Sequence, residues 1–338
     1  MRLLSVTGDD DFTLVEFIHN IPRYAILSHT WGADENEVTF KDIYKGKGKG
    51  KNKPGYAKLT FCAAQAAKDR LRYFWVDTCC IDKSSSAELA EAINSMFKWY
   101  RDSAACYVYL SDVPGCNNST SRGDKKPSIK NSRWFKRGWT LQELLAPEDV
   151  TFFSRYGTRI GDKSSLAKEI AHETTIPMAF FQNGSLSMSQ YSVEERMNWA
   201  KSRRTKREED AAYCLLGIFG VQMPLIYGEG RAKAFGRLRK EIQDVHGRLE
   251  PDWVDGLLKQ YGLPPLQVST YANRCYTVLS LPLLTDPLGS HRSRSYQFRE
   301  THDASLHNNY HVSRDHVRPS LSDMVSGSNC CCDSTLPL

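Results

Sequence analysis

The amino-acid sequence predicts an α/β fold with a mostly parallel sheet flanked by helices, followed by a helical appendage and a poorly ordered tail. Short apolar runs typical of buried strands alternate with segments of helical periodicity up to about residue 180, as expected when helices connect parallel strands. Only helical patterns follow, to about residue 250. Further on the periodicity fades, and Ser, His, Arg and Asn become frequent. We therefore divide the chain into an α/β domain (1–180), an appendage (181–250) and a tail (251–338).

Four apolar runs predict the strands of the sheet. Each is short, rich in aromatic and aliphatic side chains, and followed by polar or turn-forming residues, which is typical of a strand buried on both faces. The first twenty residues lack such a run, and we expect an irregular lead-in there. The predicted strands are 23–27, 73–76, 106–110 and 150–153.

Helices are predicted where apolar residues recur three and four positions apart. The pattern is clearest over 87–102, where the stripe contains Leu89, Ile93 and Met96 and belongs to the core. Ser192 and Glu195 have the spacing of a capping box and mark the start of another helix. The remaining predicted helices are 56–70, 139–146, 164–174, 192–201, 210–219 and 231–245.

Composition narrows the class of protein. The 338 residues are 41% hydrophobic and carry a net charge of +6, which fits an anionic ligand without requiring nucleic acid. No apolar run approaches the roughly 20 residues needed to span a bilayer. The N-terminus carries acids where a signal peptide needs apolar residues. We therefore expect a cytoplasmic protein without a membrane span, whose ten cysteines are reduced thiols.

Three polar segments are predicted to be solvated. The stretch 45–53 is rich in Lys and Gly but lacks the spacing of a phosphate-binding loop. The stretch 201–209 is a charge run, and neither stretch has the interleaved aromatic residues that would suggest a nucleic-acid partner. Residues 114–131 have the Pro, Gly, Ser and Asn content of a loop.

The segment 132–147, SRWFKRGWTLQELLAP, concentrates the residues of most chemical interest. It combines tryptophans, leucines and three cations with one acid, Glu143. On a helix that starts near Trp139, Glu143 lies off the leucine stripe and would face a crevice, next to cations suited to a nucleotide or phosphate. The alternative is a structural Glu143, in a salt bridge to Arg137 or Arg133 within a helix packed by its tryptophans.

Polar side chains also follow the first two predicted strands. Ser28, His29 and Trp31 come after the first strand, and Asp77 comes after the second. The carboxyl ends of parallel strands are where α/β sheets bind ligands. His29 could instead stabilise a tight turn, and Asp77 could cap the turn that follows it.

Three sequence blocks form a recognisable set: RYAILSHTWG (23–32), the segment 74–113 that begins FWVDTCCIDK, and SRWFKRGWTLQELLAP. Together they resemble the fungal heterokaryon incompatibility (HET) domain. A later block, 192–235, resembles the segment that often follows this domain, so the resemblance covers about 24–245. It implies a role in non-self recognition between fungal hyphae that ends in programmed cell death.

The HET domain is in turn distantly similar to TIR domains, which implies a flavodoxin-like sheet. Many TIR domains cleave NAD at the nicotinamide–ribose bond with one glutamate, which in plants stands in a W-C-L-x-E-L sequence. Trp139–Leu144 has the same form here, so the resemblance implies that Glu143 is catalytic. The residues expected to bind the substrate are Ser28, His29, Trp31, Asp77, Arg137 and Trp139.

The resemblance also implies partners. NAD is the candidate nucleotide substrate, and no metal or resident cofactor is expected. TIR relatives usually act when oligomerised, so we expect a homo-oligomer or an assembly with other incompatibility or NLR-type proteins. The alternative is an interaction module that assembles a death-signalling complex without chemistry, in which case Glu143 is structural.

Overall fold

The computed structural model describes residues 1–7, 11–44, 50–115, 127–182 and 187–247. All of them belong to the unit Met1–Thr270. The predicted tail, the first half of the Lys/Gly stretch and most of the predicted loop at 114–131 lie outside the described residues. The predicted boundary near residue 180 remains a prediction.

Seven strands form one mixed sheet in the order β2-β1-β4-β3-β5-β6-β7. Four adjacent strands run parallel to one another, as the apolar runs predicted, in the order β4, β3, β5, β6. The expectation of a mostly parallel sheet holds only in part, because β1, β2 and β7 make the three other pairings antiparallel. The strands are β1 (Arg2–Thr7), β2 (Asp11–Glu16), β3 (Tyr24–His29), β4 (Tyr73–Trp75), β5 (Ala105–Tyr109), β6 (Val150–Phe153) and β7 (Arg159–Asp162).

The N-terminal residues are not an irregular lead-in. β1 and β2 pair in an antiparallel ladder from Arg2↔Glu16 to Thr7↔Asp11, and β1 also pairs with β4. Leu3 and Leu4 are fully buried by this pairing. β2 is only half-buried, so its pattern lacks the continuous apolar run by which the parallel strands were recognised.

Six of the seven predicted helices are present, with small shifts at their ends, and the predicted helix 210–219 is interrupted. The two longest, α4 and α11, have 16 residues each. Over the described ranges, no helix is both long enough and apolar enough to cross a bilayer. The helices are α1 (Phe40–Tyr44), α2 (Tyr56–Lys68), α3 (Asp77–Cys80), α4 (Ser86–Arg101), α5 (Thr140–Leu145), α6 (Ala167–Thr174), α7 (Met178–Gln182), α8 (Val193–Asn198), α9 (Asp210–Tyr213), α10 (Leu216–Phe219) and α11 (Arg231–His246).

The two faces of the sheet are covered by different helices. In β5, Cys106 contacts the backbone of α5, whereas the Tyr107 hydroxyl donates to Asp69 at the end of α2. In β6, Phe152 packs against Trp134, and Phe153 packs against Phe61 of α2. Because successive strand residues point to opposite faces, we name these the α5 face and the α2 face.

The residues after 187 pack as helices, with two corrections to the sequence analysis. The capping box is confirmed: the Ser192 side chain accepts from the Glu195 N–H, and the Glu195 carboxylate accepts from the Ser192 N–H. The predicted helix 210–219 is interrupted between α9 and α10. The stretch 201–209 is not simply solvated, because Arg203 and Glu209 are buried. The Glu209 carboxylate accepts from two backbone N–H groups of a downstream turn.

Candidate functional site

The helix that carries Glu143 is short and buried along its whole length. All six residues of α5 are buried, and Glu143 is 7% exposed. The Thr140 hydroxyl lies 2.5 Å from the Trp134 carbonyl and 2.9 Å from the Arg137 carbonyl, which ties the start of α5 to the turn before it. Glu143 therefore lies off the leucine stripe but within packed protein rather than in an open crevice.

The Glu143 carboxyl is held by hydroxyl groups. The Ser28 hydroxyl donates to Glu143 Oε2 at 2.5 Å, and the Trp134 indole N–H donates to the Ser28 oxygen at 2.8 Å. The indole fixes the orientation of the Ser28 hydroxyl, because it occupies the oxygen and leaves the proton for Glu143. The Tyr100 hydroxyl donates to the Leu27 carbonyl at 3.0 Å and also lies within hydrogen-bonding reach of Glu143.

The predicted salt bridge from Glu143 to Arg137 or Arg133 is wrong. Arg133 pairs with Asp112 at 3.6 Å, and within the described part of the chain no cation lies within ion-pair distance of Glu143. The physical reason is burial: Glu143 points beneath the end of β3, whereas Arg133 is exposed on the turn before α5.

This environment favours the neutral acid. Burial raises the pKa of Glu143 to about 8, and the negative charge of Asp77 raises it as well. The hydroxyl groups of Ser28 and Tyr100 and the charge of Arg137 oppose the shift without cancelling it. Near neutral pH, the protonated form of Glu143 is therefore favoured.

Asp77 lies at the start of α3 and is held as a carboxylate. Its Oδ1 lies 3.0 Å from His29 Nε2, and its Oδ2 accepts from the Trp31 indole N–H at 2.9 Å. The Lys83 ammonium lies 3.7 Å from the centroid of the Trp31 ring. Burial alone would raise the pKa of Asp77, but the charge of Lys83 and the contacts to His29 and Trp31 lower it to about 2.

The predicted site residues form two adjoining groups rather than one pocket. Ser28 contacts Glu143 directly, whereas His29 and Trp31 contact Asp77. Asp77 is near enough for its charge to act on Glu143. The Nδ1 atom of His29 is buried, with no hydrogen-bond partner in the described part of the chain.

The two predicted residues of the 132–147 segment other than Glu143 have different surroundings. The side chain of Arg137 is half-buried, and its charge acts on Glu143 at longer range. The Trp139 side chain is a hydrogen-bond partner of Asp210 in α9, so it binds α9 to α5 instead of lining the surroundings of Glu143.

Three residues at this site escaped the sequence analysis: Trp134, Tyr100 and Arg203. The Arg203 Nη1 donates to the Arg137 carbonyl and to the Thr140 hydroxyl oxygen, both at 2.9 Å, and Arg203 is 8% exposed. Burial lowers the pKa of Arg203 to about 10. Its position inside a charge run hid Arg203. The sequence offered one signal for Trp134, which precedes Glu143 by nine residues within the same short segment.

Backbone hydrogen bonds join the same two segments. The Arg204 N–H donates to the Lys136 carbonyl at 2.6 Å, and the Gly138 N–H donates to the Arg204 carbonyl at 2.9 Å. A Cβ at Gly138 would lie 2.5 Å from the Thr205 methyl group, so only glycine allows this approach. We call residues 203–205 the clamp, because they fix the turn that leads into α5.

Comparison with known proteins identifies the family. Residues 24–121 match the family model "Heterokaryon incompatibility protein (HET)". The chain contains a fungal HET domain. The matched residues include β3, β4 and β5, together with Ser28, His29 and Asp77, and end before Glu143.

A longer match extends beyond the HET domain model. The Vegetative incompatibility protein HET-E-1 of Podospora anserina is 56% identical over 231 residues, which is 68% of this chain and 17% of that protein. The chain thus corresponds to about a sixth of the length of this HET relative. Wherever a match of 231 residues begins in a chain of 338, it covers residues 108–231. The match therefore includes the Glu143 segment and the clamp. No solved structure matches the chain.

Proposed function

We propose that this HET domain protein is an effector of fungal vegetative incompatibility that promotes programmed cell death, and that it does so by cleaving NAD between nicotinamide and ribose. The family membership and the 56% identity to an incompatibility protein support the biological role. The Glu143 carboxyl, buried and oriented by Ser28, is the observation that carries the proposed chemistry.

The position of Glu143 in the sheet supports a ligand-binding role. If the four parallel strands are numbered 1 to 4 along the chain, their order across the sheet is 2-1-3-4. This is the flavodoxin-like order and the one expected of a TIR relative. In such sheets, ligands bind at the carboxyl ends of the strands where the order reverses, here between β3 and β5. Ser28 is near the carboxyl end of β3, so it brings Glu143 to this point.

The proposed reaction uses the charge of the substrate. The nicotinamide ring of NAD is cationic, and a cation beside Glu143 would lower its pKa and convert it to the carboxylate. The glycosidic C–N bond then breaks with both electrons going to the ring nitrogen. The carboxylate stabilises the positive charge that develops on the ribose, as carboxylates do in glycoside hydrolysis. Water adds to the ribose carbon and releases a proton, giving ADP-ribose and free nicotinamide.

Burial of Glu143 implies that the site opens before it acts. With 7% of the residue exposed, the substrate reaches the carboxyl only when neighbouring side chains move. Assembly into a homo-oligomer or with an incompatibility partner is the event we propose for this opening. The resting state would then be an inactive monomer.

The same burial favours a second candidate function, a non-enzymatic scaffold. A protonated glutamate held by Ser28 at the end of β3 also suits a purely structural role. In that case the HET domain assembles a death-signalling complex without chemistry. The carboxylate is then dispensable as long as its shape and hydrogen bond are kept.

Nicotinamide release by purified, concentrated protein separates the two functions. We expect release by the wild type, at least about a hundredfold less by Glu143→Gln, and full activity in Glu173→Gln, a buried glutamate of α6. Circular dichroism checks that both variants fold. Release by Glu143→Gln at the wild-type rate would refute the mechanism. No release from oligomeric wild type, combined with cell death on expression of Glu143→Gln, would establish the scaffold.

A further inference from the structure

A second candidate site lies on the α2 face, away from Glu143. An open groove of about 810 Å³ is bounded by α2, by the segment before it, by the end of β5 and by the loop after β6. Ligand sites for small molecules have volumes of this order. Glu143 does not line the groove, and the proposed NAD chemistry leaves it unused.

The charge of the groove has one sign. It is lined by four cations, and no acidic residue is among its described lining residues. Lys51 and Lys53 form ion pairs with acids that lie outside it. Lys68 and Arg155 are exposed and, in the described part of the chain, have no carboxylate partner. Two unpaired cations at the groove attract a ligand with more than one negative charge.

Aromatic rings form the apolar part of the same groove. The rings of Phe61 and Tyr109 have centroids 5.0 Å apart. Tyr156 is 67% exposed, and the Arg155 guanidinium lies 5.4 Å from the centroid of its ring. An exposed tyrosine beside an arginine offers a stacking surface for a planar base.

The loop that carries these side chains is held in place. The Tyr109 hydroxyl donates to the Arg155 carbonyl at 2.5 Å, and the Arg155 N–H donates to the Val113 carbonyl at 2.9 Å. Gly157 has a φ of +75°, which favours glycine, and a Cβ there would lie 3.2 Å from the Phe61 ring. The groove is therefore formed before any ligand binds.

We propose that this groove binds a nucleoside phosphate, with the phosphates on Lys68 and Arg155 and the base against Tyr156. The basic stretch at 45–53 has no aromatic residues interleaved in its sequence. The fold supplies them from α2, β5 and the loop after β6. A ligand here lies on the opposite face of the sheet from Glu143, so the site extends beyond the proposed NAD cleavage.

Calorimetric titration of the full chain with ADP tests the proposal. We expect saturable binding that weakens by at least about tenfold in Lys68→Gln and in Arg155→Gln, since each removes a charge-assisted contact to phosphate. Tyr156→Ala should weaken binding by about fivefold or more, the scale of base stacking. All three side chains are exposed, so these variants should fold. Lys168→Gln, which changes an exposed lysine of α6, is the matched control and should bind as wild type does.

Other probes give the outcomes that would overturn the proposal. Adenosine should bind at least about tenfold more weakly than ADP, because it lacks the phosphates. Pyrophosphate binding as tightly as ADP would refute the base contact, and much tighter binding of a ten-nucleotide oligo(dA) would replace the nucleotide with nucleic acid. No ADP binding at millimolar concentration would refute the site. Glu143→Gln should leave ADP binding unchanged, so this proposal and the NAD mechanism fail separately.

Discussion

Glu143, which is buried, and Asp77, which is half-buried, carry carboxyl groups at the same edge of the sheet, and their surroundings drive their pKa values apart. The pKa of Glu143 is raised to about 8, whereas that of Asp77 is lowered to about 2. Glu143 is contacted by hydroxyl groups, but Asp77 is contacted by an imidazole and an indole N–H and is close to the Lys83 ammonium. Both groups are desolvated, so the nature of the hydrogen-bond partners and the nearby charge decide which one ionises.

The difference in pKa indicates unlike roles for the two residues. A permanent carboxylate organises its neighbours, and Asp77 does this for His29 and Trp31. A carboxyl poised near neutral pH can change its charge when a ligand binds, which is the property that chemistry requires. Asp77 also contributes to the raised pKa of Glu143, so the two groups form one electrostatic unit.

The largest expected effect is on the pH dependence of stability through Glu143. Between its ordinary pKa of 4.5 and the folded pKa of about 8, the folded protein keeps a proton that the unfolded chain has lost. The free energy of unfolding therefore falls as pH rises through this window. At about 1.4 kcal/mol per pKa unit, the loss reaches a few kcal/mol. Urea unfolding at pH 5, 7 and 9 should show this fall in wild type and a flatter curve in Glu143→Gln, and parallel curves would contradict it.

Asp77→Asn should destabilise by about 2 kcal/mol at pH 7, because the lowered pKa of Asp77 measures the stability that its carboxylate contributes. That contribution is present above the ordinary pKa of 3.8 and is lost as pH falls through about 2. Thermal unfolding at pH 7 and pH 2.5 should show the difference between wild type and variant shrinking in acid. An equal difference at both pH values would mean that Asp77 acts by shape alone.

Ser28→Ala should cost about 1 to 2 kcal/mol, since it leaves the Trp134 indole N–H and the Glu143 carboxyl without their shared partner. The pKa of Glu143 should rise further, because the hydroxyl lowers it in wild type. Unfolding of the two single variants and of Ser28→Ala/Glu143→Gln gives the coupling between these side chains. Strict additivity of the two changes would show that the hydrogen bond contributes nothing.

Lys83→Gln should have the smallest effect, below about 1 kcal/mol, because Lys83 is an exposed residue and a cation–π contact such as the one with the Trp31 ring contributes little at an exposed site. The variant should raise the pKa of Asp77, the carboxylate its charge stabilises. Titration of the Asp77 carboxyl carbon by NMR measures this shift. A pKa that stays at about 2 would leave the contacts to His29 and Trp31 as its whole cause.

The sequence was informative where a local pattern reports burial directly. The four parallel strands are continuous apolar runs, and each was found near its true bounds. β2 was missed because it is half-buried with charged ends, a pattern that a surface segment shares. Glu143 was singled out by its neighbours in sequence, but its contact with Ser28 spans 115 residues and depends on how the chain folds. The charge run 201–209 predicts a solvated segment, and its pattern does not reveal that one of its members, Arg203, is buried.

The clamp bears on how such a domain could be exchanged between proteins in evolution. Residues 203–205 lie far downstream of the 24–121 segment that matches the family model, yet they supply the hydrogen bonds that set the turn before α5. A gene fusion that joined only residues 24–121 to a new partner would transfer neither α5 nor its support. The Glu143 arrangement therefore requires at least β3 through the clamp, and recombination inside this stretch should yield proteins that lack it.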